Sequence, residues 1–164
     1  MCSLQTHKYF ILYIMNIDQI KAQAELDTVI DVNHLDEEST KVPQIHNKYL
    51  CILMDEKLVL ENFESKLKVL KRDKWLYYSG KLSEEELKKK GWEPFGLNIL
   101  KQDLDRFIDS DSEVINLSNK VFLQKEKVIY IESVIKIISN KMWNIRSAIE
   151  WIKFTQGVWL RYIK

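Results

Sequence analysis

The stretch "KVLKRDKWLYYSGK" (68–81) sets Lys68, Lys71, Arg72, Lys74 and Lys81 among Trp75, Tyr77 and Tyr78. On a helix Lys68, Lys71 and Arg72 share a face at steps of three and four, while Lys74 lies about 60° round from Lys71. Trp75 stands one turn beyond Lys71 and Arg72, and Tyr78 one turn beyond Lys74. Cations neutralise phosphates and aromatic faces stack on unpaired bases, so this alternation suits a single nucleic-acid strand. Composition alone leaves a second reading open. Trp75 and Tyr77 can instead cap an apolar stripe that ends at Leu67 and Leu70, with the cations keeping the helix end soluble.

The elements that position these residues read as helices. Four Gly and two Pro in 164 residues, with 30% charged and 46% hydrophobic side chains, imply an all-α chain of long amphipathic segments in a hairpin-like arrangement. Ile17, Ile20, Ala24 and Leu26 mark a short first helix, and "DVNHLDEES" reads as the loop after it. A long helix is expected from Pro43 or just after it, its domain span set at 45–78. Its stripe is Ile45, Tyr49, Ile52, Glu56, Leu60, Phe63, Leu67 and Leu70, broken only by Glu56. Residues 79–111 form a connection with one polar helical turn at "SEEELKKK" and a short helix carrying Ile99, Leu104, Phe107 and Ile108. "DSDS" then offers N-caps.

The helix expected over 112–154 carries the strongest periodicity. Val114, Leu117, Val121, Gln124, Val128, Ile131, Ile135, Ile138, Met142, Ile145, Ile149 and Ile152 alternate at steps of three and four without a slip. A seven-residue repeat sustained over more than five heptads reads as a coiled-coil seam. At about 1.5 Å per residue it runs roughly 58 Å. Ile115, Phe122, Ile129, Val134, Ile137 and Trp143 lie off the seam, so a two-helix monomer leaves apolar surface wet. The expectation is homo-oligomerisation through Val128, Ile131, Ile135, Ile138, Met142, Ile145, Ile149 and Ile152, with Gln124 setting register.

Net charge is +1, but residues 68–90 hold eight basic against four acidic side chains while residues 1–60 hold five against nine. Any anionic partner is therefore expected at the middle of the chain. Cys2 and Cys51 supply no disulfide framework, Cys51 reads as a small buried thiol, and a reducing compartment is expected. "YFILYIM" (9–15) is too short to span a bilayer, and Met15 opens an amphipathic segment that needs nothing before it, so residues 1–14 are expected to be an extension. No glycine loop for phosphate and no paired Cys or His at metal spacing occurs; His7, His34 and His46 are dispersed. The carboxylates at 36–38 and 84–86 read as solvated caps. No catalysis, cofactor or metal is expected.

"LKRDKWLYYSGK" (70–81), "KVPQIHNKYL" (41–50) and "ESVIKIISNKMWNIRSAIEWIKFTQG" (132–157) together resemble the UvsY recombination mediators of T-even and related cyanobacterial phages. The resemblance covers one domain, about 15–157, and leaves 158–164 as a tail. It implies a protein without enzymatic activity that binds single-stranded DNA and helps a RecA-like recombinase (UvsX) load where the phage single-strand-binding protein already sits. Its setting is the cytoplasm of the infected bacterial host. It further implies ring-like heptamers of mostly helical subunits, assembled through the C-terminal region. The family's basic motif is Leu-Lys-Ala-Arg-Leu; counted back from Tyr77, its Lys falls on Arg72 and its Arg on Lys74. Lys71, Asp73 and Trp75 depart from its other three positions, and Asp73 adds an acid beside the phosphate contacts.

Two rivals stand beside this reading. One is a structural coiled-coil scaffold in which the basic stretch only solubilises; the other is a helical adaptor for duplex nucleic acid. Salt-dependent binding of an oligonucleotide separates the first, and competition between duplex and single strand the second.

Overall fold

The computed structural model describes residues 16–97 and 99–157. The expected extension at 1–14 and tail at 158–164, with His7 and Cys2, lie outside the described residues. Those residues form helices and no strand: α1 (Ile17–Thr28), α2 (Leu35–Tyr78), α3 (Glu84–Lys90), a 3-10 turn (Lys101–Asp103), α4 (Leu104–Asp109) and α5 (Ser112–Thr155). Among them no helix is long and apolar enough to cross a membrane.

The long first helix begins ten residues before 45, the start expected from Pro43. Proline has no N–H to give to Ser39 and interrupts the ladder, yet it sits inside α2. Packing outweighs it: Leu35 and Val42 before it and Tyr49 after it are buried, and Glu38, expected as a solvated cap, pairs with buried Lys141 at 2.7 Å. Asp36, Glu37 and Glu38 in the first turn also suit the positive end of the helix. What reads as loop is therefore helix start.

Two compact units divide the described chain, one made of residues up to Glu56 with those from Lys127 onward, the other of Lys57–Glu126. In the first, Ile20, Ala24, Leu35, Val42 and Tyr49 pack with Val134 and three seam residues of α5, Ile131, Ile138 and Ile145. The seam residue Val128 is buried as well. Ile135, Ile149 and Ile152 lie half-buried against that core. Helices α2 and α5 run antiparallel here, Glu38 meeting Lys141 and Glu56 meeting Lys127. Lys141 also donates to the carbonyl of Asp27 at 3.1 Å, fastening the end of α1.

The expectations for Val134 and Cys51 are corrected by this core, and the seam expected to mediate oligomerisation is found packed within the chain. The seam residues Val128, Ile131, Ile135, Ile138, Ile145, Ile149 and Ile152 are taken up within the chain, because α1 and α2 cover that stripe; Met142 alone of the eight is exposed. Val134, read as off the seam, is buried because the covering helices make the apolar face wider than a two-position seam. Cys51 is exposed, not buried: it stands two residues from buried Tyr49, on the far side of the turn.

A second apolar stripe remains on α5. Ile129, Ile137, Trp143, Trp151 and Phe154 are all more than half exposed. At about 100° per residue they fall within a sector of roughly 120°, opposite Ile131, Ile138 and Ile145.

In the second unit α2 and α5 again run antiparallel, with Lys125 on Glu64 at 2.8 Å and Lys74 on Glu113 at 3.0 Å. Leu104, Ile108, Val114, Val121 and Gln124 are buried, while Leu60, Phe63, Leu67 and Leu70 of the α2 stripe are half-buried. This unit carries the whole basic stretch.

Candidate nucleic-acid interface

The last turns of α2 set out the basic residues, and two glycines fold the chain back over them. Gly80 (φ 67°) takes the left-handed conformation that ends α2, its N–H donating to Tyr77 O and that of Lys81 to Leu76 O. Ser83 and Glu86 then cap α3 reciprocally, and Gly91 (φ 68°) ends it, so that Trp92 N–H returns to Leu87 O. The return sets the Trp92 ring 3.9 Å from Lys74 Nζ and 5.2 Å from the Tyr77 ring. Tyr77 Oη–H donates to the carbonyl of Glu93 at 2.9 Å, and Phe95 packs edge-on to Tyr78.

The start of α5 closes the other side. Asp111 accepts from the N–H groups of Glu113 and Val114, the capping role that "DSDS" suggests, and its second oxygen takes Tyr78 Oη–H at 2.9 Å and Lys74 Nζ at 3.0 Å. Glu113 Oε1 is shared by Lys74 Nζ and Trp92 Nε1, both at 3.0 Å. Burial alone raises the Asp111 pKa, but Lys74 and Tyr78 outweigh it and hold the carboxyl below its ordinary value. The Tyr78 hydroxyl is pushed up to about 12 by burial and by the bond to Asp111.

Of the residues expected at the surface, Lys74 is thus buried and Tyr78 half-buried, both engaged within the fold. Lys74 is only 4% exposed, its ammonium enclosed by Asp111, Glu113 and the Trp92 ring. These two side chains hold α2, the returning connection and α5 together.

The other predicted residues face outward. Lys68, Lys71, Arg72, Trp75 and Lys81 are exposed. Lys81 Nζ lies 4.3 Å from the Trp75 ring centre and covers one of its faces. Lys71 reaches Asp109 at 2.9 Å, a pair with both partners well exposed, which contributes little and yields readily. Arg72 Nη2 lies 2.8 Å from Asp73 Oδ1.

Asp73, the acid that departs from the basic motif, is buried. Its Oδ2 receives Lys90 Nζ at 2.5 Å while Oδ1 receives Arg72. Burial raises its pKa, but the two cations prevail and keep it ionised well into the acid range. It points inward between two positive groups, so it is not a free acid among the outward cations. Sequence reasoning misses Lys90, Trp92, Asp111 and Glu113 as members of this cluster. The run "KKKGW" carries the signal of charge and aromatic, but only the two glycine turns bring it to α2.

Residues 23–158 match the family described as "Recombination, repair and ssDNA binding protein UvsY". The chain belongs to the UvsY family. Its fold is similar to that of crystal structures of the bacteriophage T4 recombination mediator protein UvsY. Against the second lattice type the TM-score is 0.76 at 17% identity, covering 87% of this chain and 99% of that one. Against the first lattice type it is 0.74 at 16% identity, covering 83% and 98%. No curated protein matches significantly. Within this UvsY-family chain the neighbouring cations Arg72 and Lys74 part company, Arg72 pointing to solvent and Lys74 into the fold.

Proposed function

We propose that this chain acts as a phage recombination mediator: it binds single-stranded DNA and promotes loading of a RecA-like recombinase (UvsX) onto DNA already coated by single-strand-binding protein. The observation that carries this reading is the outward row of Lys68, Lys71, Arg72, Trp75 and Lys81 on a chain of the UvsY family. Cations there can neutralise successive phosphates, and Trp75 supplies a ring on which a base can stack. Lys74 and Tyr78 serve the same surface from beneath, by fixing the helix that displays it.

A single copy of so small a row binds weakly. A homo-oligomer, heptameric by the family resemblance, presents many copies at high effective concentration and converts weak binding into avidity. The outer face of α5, with Trp143, Trp151 and Phe154, supports such assembly better than the seam does. Because the seam is filled from within the chain, the scaffold reading loses the free coiled-coil surface on which it stood.

The test is binding of a labelled oligonucleotide across a salt series, beside recombinase activity on coated single strands. Arg72→Ala is expected to weaken binding and to flatten its salt dependence, the logarithmic slope falling by about 0.7 for each phosphate that is no longer neutralised. Oligomer mass is expected to stay the same. Lys74→Ala is expected to lower thermal stability as well, by leaving Asp111 short of its buried partner. No stimulation of the recombinase with cognate partners would remove the mediator reading.

A further inference from the structure

We infer that the strand-binding surface continues from α2 onto the last turn of α3, and that Asp73 is the positioning residue joining the two parts. The inference rests on the single-strand reading above.

One carboxylate holds both parts. Asp73 Oδ1 takes Arg72 from α2 and Oδ2 takes Lys90 from α3, at 2.8 and 2.5 Å. The carboxylate itself is buried, whereas the Arg72 side chain is 68% and the Lys90 side chain 33% exposed. Two cations on one acid leave a positive charge, and it is presented on the solvent side. Lys88 and Lys89, in the same turn of α3 as Lys90, are exposed and outside the ion pairs formed among the described residues. Helix α3 carries its three acids in the first turn and its three lysines in the last.

The segment is fixed, not loosely attached. Capping at Ser83 and the left-handed turn at Gly91 set its ends, and the Trp92 ring has Lys90 Nζ at 5.2 Å and Lys74 Nζ at 3.9 Å from its centre. The row from Lys68 through Arg72 therefore continues into a second cationic group from a different element. A bare acid in a phosphate-binding row repels phosphate; an acid enclosed by two cations orders them instead.

The full-length protein is titrated with a fluorescent single-stranded oligonucleotide over a salt series, with mass and thermal unfolding recorded on the same samples. Lys90→Gln, and separately Lys88→Gln with Lys89→Gln, are expected to lower affinity several-fold and to reduce the salt slope by about 0.7 for each lysine removed. Asp73→Asn is expected to weaken binding to the level of Lys90→Gln, to add nothing to that variant, and to be rescued by Asp73→Glu. Tighter binding by Asp73→Asn would overturn the positioning role. Unchanged affinity and slope in both lysine variants, while Arg72→Ala still weakens binding, would overturn the inference and leave the single-strand reading standing. Wild-type binding by Arg72→Ala and Lys68→Ala would remove that reading and the inference with it. Lys88 and Lys89 are surface positions, so their variants decide the matter even if Asp73→Asn unfolds.

Discussion

Lys127 Nζ lies 2.6 Å from Glu56 Oε1, with both side chains more than nine-tenths buried. Glu56 is the one polar break in the α2 stripe, and Lys127 meets it from α5 within the same unit. Such a pair contributes less to stability than to choosing one register, because two desolvated charges tolerate each other's company and little else. Lys127→Met is expected to destabilise the fold by about 3–5 kcal/mol, by leaving Glu56 without its nearest cation. Glu56→Leu combined with Lys127→Met is expected to recover most of that loss. Denaturant unfolding at fixed protein concentration checks both. A harmless single variant would show that the pair contributes nothing the apolar core does not already supply.

The two faces of α5 are expected to respond differently. Ile138 is fully buried in the chain's own core, so Ile138→Ala should cost about 2–5 kcal/mol of stability. Trp143→Ser with Phe154→Ser should leave the unfolding of the subunit little changed and lower the mass in solution, since both side chains are 67% exposed. Light scattering beside thermal unfolding distinguishes the two effects. An unchanged mass would remove the outer face of α5 as the assembly surface.

Acid is expected to loosen the ends of the ion-pair network before the apolar core. Glu38, Asp73 and Asp111 all have depressed carboxyl pKa values in the fold, against ordinary values of 4.5, 3.8 and 3.8. Burial opposes the shift in all three; Lys141 outweighs it at Glu38, Lys90 and Arg72 at Asp73, and Lys74 with the Tyr78 hydroxyl at Asp111. A depressed folded pKa contributes stability that is fully present above the unfolded value and is lost as pH falls through the folded one. The thermal midpoint should therefore be unaffected by these groups from about pH 6 to 8 and fall below about pH 4. Asp111→Asn should shrink that acid dependence; an identical pH profile would mean that Asp111 is not among the groups that drive it.

Much of the fold is legible from spacing. The heptads of α5 and the stripe of α2 repeat so regularly that their helices and inward faces follow from periodicity alone, and "SEEELKKKG" carries its own cap at each end. The start of α2 is not legible, because a proline at position 43 reads as a boundary and only the burial of Leu35 and Val42 and the Glu38–Lys141 pair outweigh it. Cys51 is misread for a related reason: in "YLCILM" every residue is apolar, so composition carries no phase, and Tyr49 sets the phase once it is buried.

The basic stretch shows where the division falls. Residue types and local periodicity determine that residues 68–81 are cationic, aromatic and helical, because those properties belong to the side chains and their neighbours within a turn. Which cations face solvent depends on acids far along the chain: Asp111 and Glu113 draw Lys74 inward, and Lys90 turns Asp73 from a competitor into a partner. A coiled-coil repeat likewise specifies an apolar stripe but not its occupant. Here α1 and α2 fill it, and the apolar surface left exposed on α5 is the opposite one, since burial is a property of the assembled helices and not of any one of them.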